Sequence, residues 1–390
     1  MKKSINAILI SSREPKYQGT GDSYRLFQLK SLFIQSKVIS ICKPKNKMSD
    51  FYVKPPSTLS KSFNLVKYSF SDYMLQSSLF VNNRVIDEVS EIILSEKPDL
   101  VIVELVRLAP LAIALRRILP KDIVIGMDFI DNYFLSYSFM SKSISWPKSF
   151  IYKTEAARAL KTQNKVIEDL NFSMFVTSRD ASPYSESKKV FVLPFIMTTP
   201  YVNILNYQFN ASAPESKILN VVFSGNMSYY PNKEAFYFIV DDLAPAVKNV
   251  RFFILGRGIT KKMRRDVKKH NVDNVFIIGE VKDMTQALKP YDVLICPVKS
   301  GSGVQIKILE AVSSKLLVVA SSHSAEGTAF SSKEILVADT VQDYINIFNN
   351  IKNHKIDVNQ IKSAALSKLI SYYSFTNVKS TFINILSKVM

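Results

Sequence analysis

Glycine is scarce in this 390-residue chain, with 10 residues where ordinary usage gives roughly 27 for this length. Histidine and cysteine are scarcer, at 3 and 2. Two cysteines, Cys42 and Cys296, allow at most one disulfide and no framework, so reduced thiols are expected. His270, His323 and His354 are scattered, which leaves no clustered set of metal ligands. No apolar run approaches the ~18 residues of a membrane-spanning helix. The opening MKKSINAILISS has a charged start, but its apolar run from Ile5 to Ile10 falls short of the roughly 7–15 residues of a signal peptide. It reads as a first buried strand. Gly-x-Ser-x-Gly, Cys-x-x-Cys and Walker elements are missing, which excludes the chemistries those motifs carry.

Acidic residues are also few: 33 Asp and Glu stand against 51 Lys and Arg, for a net charge of +18. Such a surface attracts polyanions, whether nucleic acid, an anionic membrane leaflet or phosphorylated substrates. The basic residues lie in short clusters such as Lys2-Lys3, Arg116-Arg117, Lys188-Lys189 and Lys268-Lys269. No arginine-rich tract occurs, and no Lys/Arg stripe is interleaved with aromatics as nucleic-acid binding needs. The partners expected are therefore an anionic inner-membrane surface and phosphate-bearing substrates, with no nucleic acid. The expected location is cytoplasmic, peripheral to the inner face of the membrane.

What the chain does have is alternation. Short apolar runs at Ile5–Ile10, Val38–Cys42, Leu100–Glu104, Ile123–Met127, Ser173–Thr177 and Lys189–Leu193 predict strands. Amphipathic stretches at Tyr24–Gln35, Asn82–Ser95 and Leu108–Leu119 predict helices between them. A second series follows, with strands at Leu219–Ser224, Arg251–Leu255, Asn274–Ile278, Val293–Cys296 and Leu316–Ala320. Its helices are expected at Asn232–Leu243, Thr260–Lys269, Asp283–Lys289 and Val304–Ser313. Repeated βα units with doubly buried strands imply an α/β fold of parallel sheets. The alternation pauses over Thr198 to Ser216, whose Pro, Asn and Ser read as a linker. Two Rossmann-like domains are thus expected, over residues 1–200 and 217–370. A last helix over about 371–390 is expected to pack back on the first.

The few glycines fall mostly after predicted strands, where ligands of open α/β sheets bind. Tight βα turns need glycine for structural reasons as well. One segment stands out: Gly301-Ser302-Gly303-Val304-Gln-Ile-Lys307-Ile-Leu-Glu310. It follows the strand Val293–Cys296 and is expected to open a helix. A Gly-Ser-Gly turn lets backbone N–H groups approach an anion, and the helix N-terminus adds partial positive charge. Lys307 supplies a full charge. Glu310, three residues on and on the same helical face, is placed to accept hydrogen bonds from ribose hydroxyls. Asp128 and Asp131 close the strand Ile123–Met127 and are the candidate catalytic carboxylates, able to orient an acceptor or act as a base. Local turn capping is their structural alternative. Glu104 and Arg107 end the preceding strand as weaker candidates. Gly19-Thr-Gly21-Asp-Ser-Tyr-Arg25 follows the first strand as a glycine-rich loop.

The Gly301–Glu310 segment resembles the donor-binding motif of family-4 glycosyltransferases, retaining enzymes of the GT-B fold. In that family the second glutamate of an E-x7-E motif opens the sequence LEAxxxxxPVV. Here Leu309-Glu310-Ala311 is followed by Leu316-Leu-Val-Val319, while the first glutamate's position is Ser302. A subgroup of bacterial exopolysaccharide sugar transferases is similar over roughly residues 120 to 330. Its ordered blocks are Asp128-Phe-Ile-Asp131, Ile151–Arg158, Phe223-Ser-Gly225-Asn226 to Asn232, Leu255-Gly256-Arg257, Gly279–Asp283 and Ala325-Glu-Gly327. The family's usual donor-phosphate arginine and lysine fall at Asn226 and Pro231, so the resemblance leaves Lys307, with Arg257, to meet the phosphates. In GT-B enzymes the loop matching Gly19, Gly21 and Arg25 lies over donor and acceptor.

The resemblance implies two Rossmann-like domains with parallel sheets facing an interdomain cleft. The first would bind a glycan or lipid-linked acceptor and the second a nucleotide-sugar donor, with no cofactor and no metal. Two other readings stay open at this point: a nucleotide-sugar epimerase or hydrolase of the same fold, and a basic nucleic-acid-binding protein.

Overall fold

The computed structural model describes residues 5–17, 21–197, 218–270 and 272–390. Gly19, Lys2-Lys3 and the expected linker from Thr198 to Ser216 lie outside the described residues. Two compact units are formed. The first is Met1–Ile196 with Gly301–Gly303 and Val378–Met390; the second is Met197–Ser300 with Val304–Asn377.

The first unit holds seven strands: β1 (Asn6–Ser11), β2 (Gln35–Ser40), β3 (Phe51–Tyr52), β4 (Leu100–Glu104), β5 (Val124–Ile130), β6 (Phe172–Phe175) and β7 (Val190–Val192). They pair in parallel in the order β3-β2-β1-β4-β5-β6-β7. The second unit holds β8 (Leu219–Ser224), β9 (Val250–Leu255), β10 (Val275–Gly279), β11 (Val293–Cys296), β12 (Leu317–Ala320) and β13 (Leu336–Val337). Their parallel order is β10-β9-β8-β11-β12-β13. Each sheet therefore winds outward from its first strand in both directions, the doubly wound α/β pattern.

Burial on both faces explains the sequence of β4. Val101 and Val103 pack on one side with Val85, Val89 and Ile93 of the helix Asn83–Glu96. Leu100 and Ile102 pack on the other with Leu26, Leu29, Phe382 and Leu386. The helix Asn83–Glu96 starts at Asn82, whose side chain accepts from Val85 N–H at 3.0 Å, and stops at Lys97 with φ 47°. Such an N-cap contributes about 1 kcal/mol. The helix Phe375–Val389 turns Val378, Phe382, Ile385 and Leu386 inward onto the first unit. Phe382 meets Phe33 edge-on at 5.3 Å, and burying a ring of this kind is worth roughly 1.5–3 kcal/mol.

Several boundaries differ from the sequence reading. The first helix, Gly21–Ser31, stops before Gln35, which opens β2. The helix expected over Asn232–Leu243 is Tyr230–Tyr237 followed by a π-helical stretch, Phe238–Leu243. Lys148–Asp169, Tyr133–Ser143 and Thr58–Ser69 are helices beyond those expected. The inward stripe of the first is partly polar, with Glu155, Thr162 and Gln163 buried beside Ala156, Ala159 and Val166. Cys42 and Cys296 are both free thiols.

Two residues expected at the chemistry are instead joined in the core. Asp128 is fully buried inside β5, and Arg25 is almost as buried. Arg25 Nε donates to Asp128 Oδ2 at 2.7 Å, Nη1 to Pro194 O at 2.8 Å and Nη2 to Leu193 O at 2.9 Å. Asp128 Oδ1 accepts from Ile130 N–H at 3.2 Å. The carboxylate read as catalytic and the arginine read as a donor-loop residue thus satisfy each other and tie the first helix to β5.

Two stability outcomes follow from this packing. Asp128→Ala leaves Arg25 buried and unpaired, and is expected to lower the unfolding free energy by about 3–5 kcal/mol in urea titration. Gly126 in β5 has no room for a side chain: a Cβ there would lie 2.2 Å from Phe172 Cζ. Gly126→Ala is expected to cost roughly 1–3 kcal/mol by overpacking, read in the same titration.

Candidate functional site

Ligands of open α/β sheets sit beyond the strand ends at the point where the winding reverses. In the second unit that point lies between β8 and β11. Gly225 and Asn226 leave β8, Gly256-Arg257-Gly258 leaves β9, and Pro297 to Ser300 leave β11. The first two turns are bonded backbone to backbone. Gly225 N–H donates to Leu255 O at 3.0 Å, Met227 N–H to Arg257 O at 2.8 Å, and Gly256 N–H to Gly279 O at 2.6 Å. Gly256 has φ +124°, and a Cβ on it would lie 1.9 Å from Gly225 O. The glycines here let three loops approach closely, a need that exists without any ligand.

Lys307 points into this corner. It is buried, its Nζ donates to Asn232 Oδ1 at 2.6 Å, and it lies 4.6 Å from the centre of the Phe223 ring. Asn232 Nδ2 in turn donates to Asn226 O at 3.1 Å. The result is a chain, Lys307 to Asn232 to Asn226, that aims the ammonium along the end of β8. Burial pushes the Lys307 ammonium below its usual range, with Cys296 and Glu310 opposing. Glu310 lies one helical turn on. Burial pushes its carboxyl up to about 7 against the pull of Lys307. Among the described residues the Glu310 side chain has no hydrogen bond and no ion pair with Lys307. Arg257 is exposed and without an ion pair among the described residues.

The expected continuous turn-and-helix is divided. The helix begins at Ile306, so Lys307 is its second residue rather than a turn inside it. Gly301 and Gly303 both have positive φ, at +105° and +75°. Yet Gly301–Gly303 packs as part of the first unit, while Val304 opens the return to the second. Gly303 N–H, expected to meet a phosphate, donates to Asp180 Oδ2 at 2.9 Å. Gly303 O accepts from Arg179 Nη2 at 3.0 Å. Ser302, at the missing first glutamate, is half-buried between them.

Asp131 belongs to the same cluster and is half-buried. A Cβ on Gly303 would lie 2.0 Å from its Oδ1. Burial, then the neighbouring Asp180 carboxylate, push the Asp131 carboxyl up to about 7, with Arg179 pulling down. Asp180 itself is raised by burial, and its Oδ1 is buried without a hydrogen-bond partner among the described residues. Asp180, Arg179 and Asn232 were not among the residues singled out in sequence. Asp180 had a signal: Thr177-Ser-Arg-Asp180 follows a strand with a helix-capping spacing, and Thr177 Oγ1 accepts from Asp180 N–H at 3.0 Å. Asn232 had one as well, as the last residue of the block Phe223 to Asn232 that carries the resemblance.

At the reversal point of the first sheet, between β1 and β4, Glu104 is buried and accepts from Ser11 Oγ at 2.6 Å. Burial raises its carboxyl well above the usual range. Arg107 pairs with Asp22 at 2.9 Å over the Phe80 ring. Gly21 opens the first helix with open space around it. No group of three His, Cys, Asp or Glu among the described residues is arranged to hold a metal ion, and no described helix is long and apolar enough to cross a membrane.

Residues 219–351 match the family model described as glycosyl transferases group 1. An uncharacterized 44.6 kDa protein in the cps region of Klebsiella pneumoniae is 25% identical over 159 residues. That match spans 38% of this chain and about two fifths, 40%, of the relative. Among solved structures, a glycosyltransferase from Rickettsia africae aligns with TM-score 0.69 and 14% identity, over 99% of each chain. Anabaena HepE in complex with UDP aligns with TM-score 0.67 and 12% identity, over 98% of this chain and 100% of its own. The lipopolysaccharide outer core galactosyltransferase WaaB aligns with TM-score 0.63 and 12% identity, over 99% and 100%. At such identities the structures speak for the fold, and the family model speaks for the second unit. Two doubly wound parallel sheets give this chain the GT-B fold of these structures, and residues 219–351 of its second unit carry the match to glycosyl transferases group 1.

Proposed function

We propose that the protein transfers a sugar from a nucleoside-diphosphate sugar to a hydroxyl of a bacterial surface glycan or its lipid-linked precursor, with retention at the anomeric carbon. The observation that carries this reading is the Lys307–Asn232–Asn226 chain at the reversal point of the second sheet. A buried ammonium held by one neutral amide has protons left for an anion, and a diphosphate is the anion that suits the position. Arg257, exposed on the adjoining turn, adds a second charge that closes on the same phosphates. Such preorganised positive charge stabilises the leaving diphosphate as the glycosidic bond breaks, without a bound metal. Glu310 takes the ribose hydroxyls. UDP is the first nucleotide to test, since HepE structures hold UDP and UDP-glucose.

On the acceptor side, Asp131 replaces Asp128 as the carboxylate to bet on. Asp128 is committed to Arg25, whereas Asp131 is half-buried with a carboxyl that changes charge near neutrality. A group of that kind orients or deprotonates a hydroxyl best. The high positive charge fits an enzyme that collects its acceptor at an anionic inner leaflet.

A thermal-shift panel of UDP, GDP, CMP and dTDP sugars tests the donor site. One nucleotide class is expected to raise Tm, and Lys307→Ala to weaken its binding by about 10- to 100-fold, the loss of a charged hydrogen bond. If no nucleotide stabilises the wild type, the donor assignment fails. Glu310 adds a pH signature. Its ionised form is the better acceptor for ribose hydroxyls, and its carboxyl is pushed up to about 7. Nucleotide affinity is therefore expected to rise between pH 6 and pH 8, and to be flatter in Glu310→Gln by calorimetry.

A further inference from the structure

The helix Thr58–Ser69 is amphipathic the wrong way round for a globular surface. Its buried residues are Asn64 and Tyr68. Leu59, Phe63 and Val66, followed by Phe70 at the C-cap, repeat at steps of four, three and four residues and so form one stripe. That stripe faces out: Leu59 is 86% exposed, Phe63 76% and Phe70 90%. A second apolar group lies at the start of the helix Lys148–Asp169. Trp146, the sole tryptophan of the chain, is 80% exposed, and Phe150 and Ile151 beside it are exposed as well.

The two groups belong to one side of the first unit. Arg158 Nη2 donates to Ser69 O at 2.7 Å, and Lys161 Nζ to Asp72 Oδ1 at 2.8 Å, so the end of one helix abuts the middle of the other. From Arg158 back to Ile151 is about 10 Å along the helix. A groove lined by Phe63, Tyr68, Val81 and Ile113, with Lys67 and Arg117, adjoins the first stripe.

The charges single out the occupant. Residues 51–71 and 133–154 contain no Asp or Glu and six lysines. Of these, Lys54, Lys67, Lys142, Lys148 and Lys153 are exposed and without an ion pair among the described residues. Aromatic and aliphatic side chains flanked by unneutralised lysines match the boundary between anionic headgroups and acyl chains. A protein partner that covered this side would need acidic groups opposite each lysine, whereas an anionic bilayer supplies them at every position.

We infer that this face of the first unit docks on an anionic lipid bilayer, with the Leu59–Phe70 stripe and Trp146, Phe150 and Ile151 dipping into the headgroup boundary. The inference deepens the membrane side of the proposed function and rests on it for its purpose. The surface itself is independent of the donor site.

The single tryptophan makes the test direct. Full-length protein is mixed with vesicles of phosphatidylglycerol and phosphatidylethanolamine, or of phosphatidylcholine alone, and Trp146 emission and co-sedimentation are read. Anionic vesicles are expected to shift the emission to the blue and pull the protein down at least roughly tenfold more than neutral ones. Phe63→Ser/Phe70→Ser and, separately, Lys148→Gln/Lys153→Gln are each expected to reduce that partition by roughly tenfold. These side chains are exposed, so an unchanged Tm shows that each variant folds. No blue shift on anionic vesicles, or variants that bind as the wild type does, overturns the inference. So does a blue shift that grows with protein concentration in the absence of lipid, which would mark the face as a contact between copies. Nucleotide stabilisation is measured on the same samples. Its loss with vesicle binding intact sinks the donor assignment and leaves the docking surface standing.

Discussion

The Arg25 guanidinium gives up its hydration to join three separate pieces of the first unit. It meets the Asp128 carboxylate in the middle of the sheet and the carbonyls of Leu193 and Pro194 just past the last strand. A buried ion pair alone rarely adds net stability, because desolvating both partners costs about what their attraction returns. Three well-aligned hydrogen bonds to one planar group shift that balance. The pair also has a second effect. It fixes the first helix, which begins at Gly21 beside the expected glycine-rich loop, against the strand whose far end presents Asp131.

Burial does the comparable work in the second unit. The same desolvation that lowers the Lys307 ammonium raises the Glu310 carboxyl. Two groups one helical turn apart are thus shifted in opposite directions by the same cause, and in each the charged form is the one disfavoured. In water a lysine and a glutamate at this spacing would simply pair and gain a few tenths of a kcal/mol. Here Lys307 is turned away toward Asn232 and the face of Phe223. That leaves Glu310 unpaired among the described residues. A helix that keeps an acid and a base apart leaves both available, as the proposed phosphate and ribose contacts require.

The alternation of strands and helices was legible in the chain because parallel strands buried on both faces are largely apolar, as β11 is throughout and β4 is up to its last residue, Glu104. What periodicity could not show was which polar residue had gone inside. Asp128 was read as lying past its strand. The strand in fact continues to Ile130 through an irregular register between Asp128 and Ile130, where Ile130 takes φ 63°. That kink turns Asp128 inward and leaves Asp131 as the first carboxylate beyond the sheet. Arg25 was hidden for a similar reason: it sits beside Leu26 on the inner face of its helix, and apolar spacing carries no mark for an arginine that has found a buried partner. Asp180 was visible only as the third residue after the helix cap Thr177, yet it takes the Gly303 N–H that a phosphate was expected to take.

The outward stripe on Thr58–Ser69 escaped notice for the opposite reason. A helix with regularly spaced apolar residues is ordinarily assumed to bury them, and only the fold shows that Asn64 and Tyr68 are the residues turned inward. An exposed stripe of this kind carries an aggregation hazard. The lysines that share its two segments offset that hazard by repelling other copies of the same face. One charge pattern therefore discourages self-association and favours an anionic surface. In that light the acid-free stretches account for part of the excess positive charge as a local device, rather than as a general property of the surface.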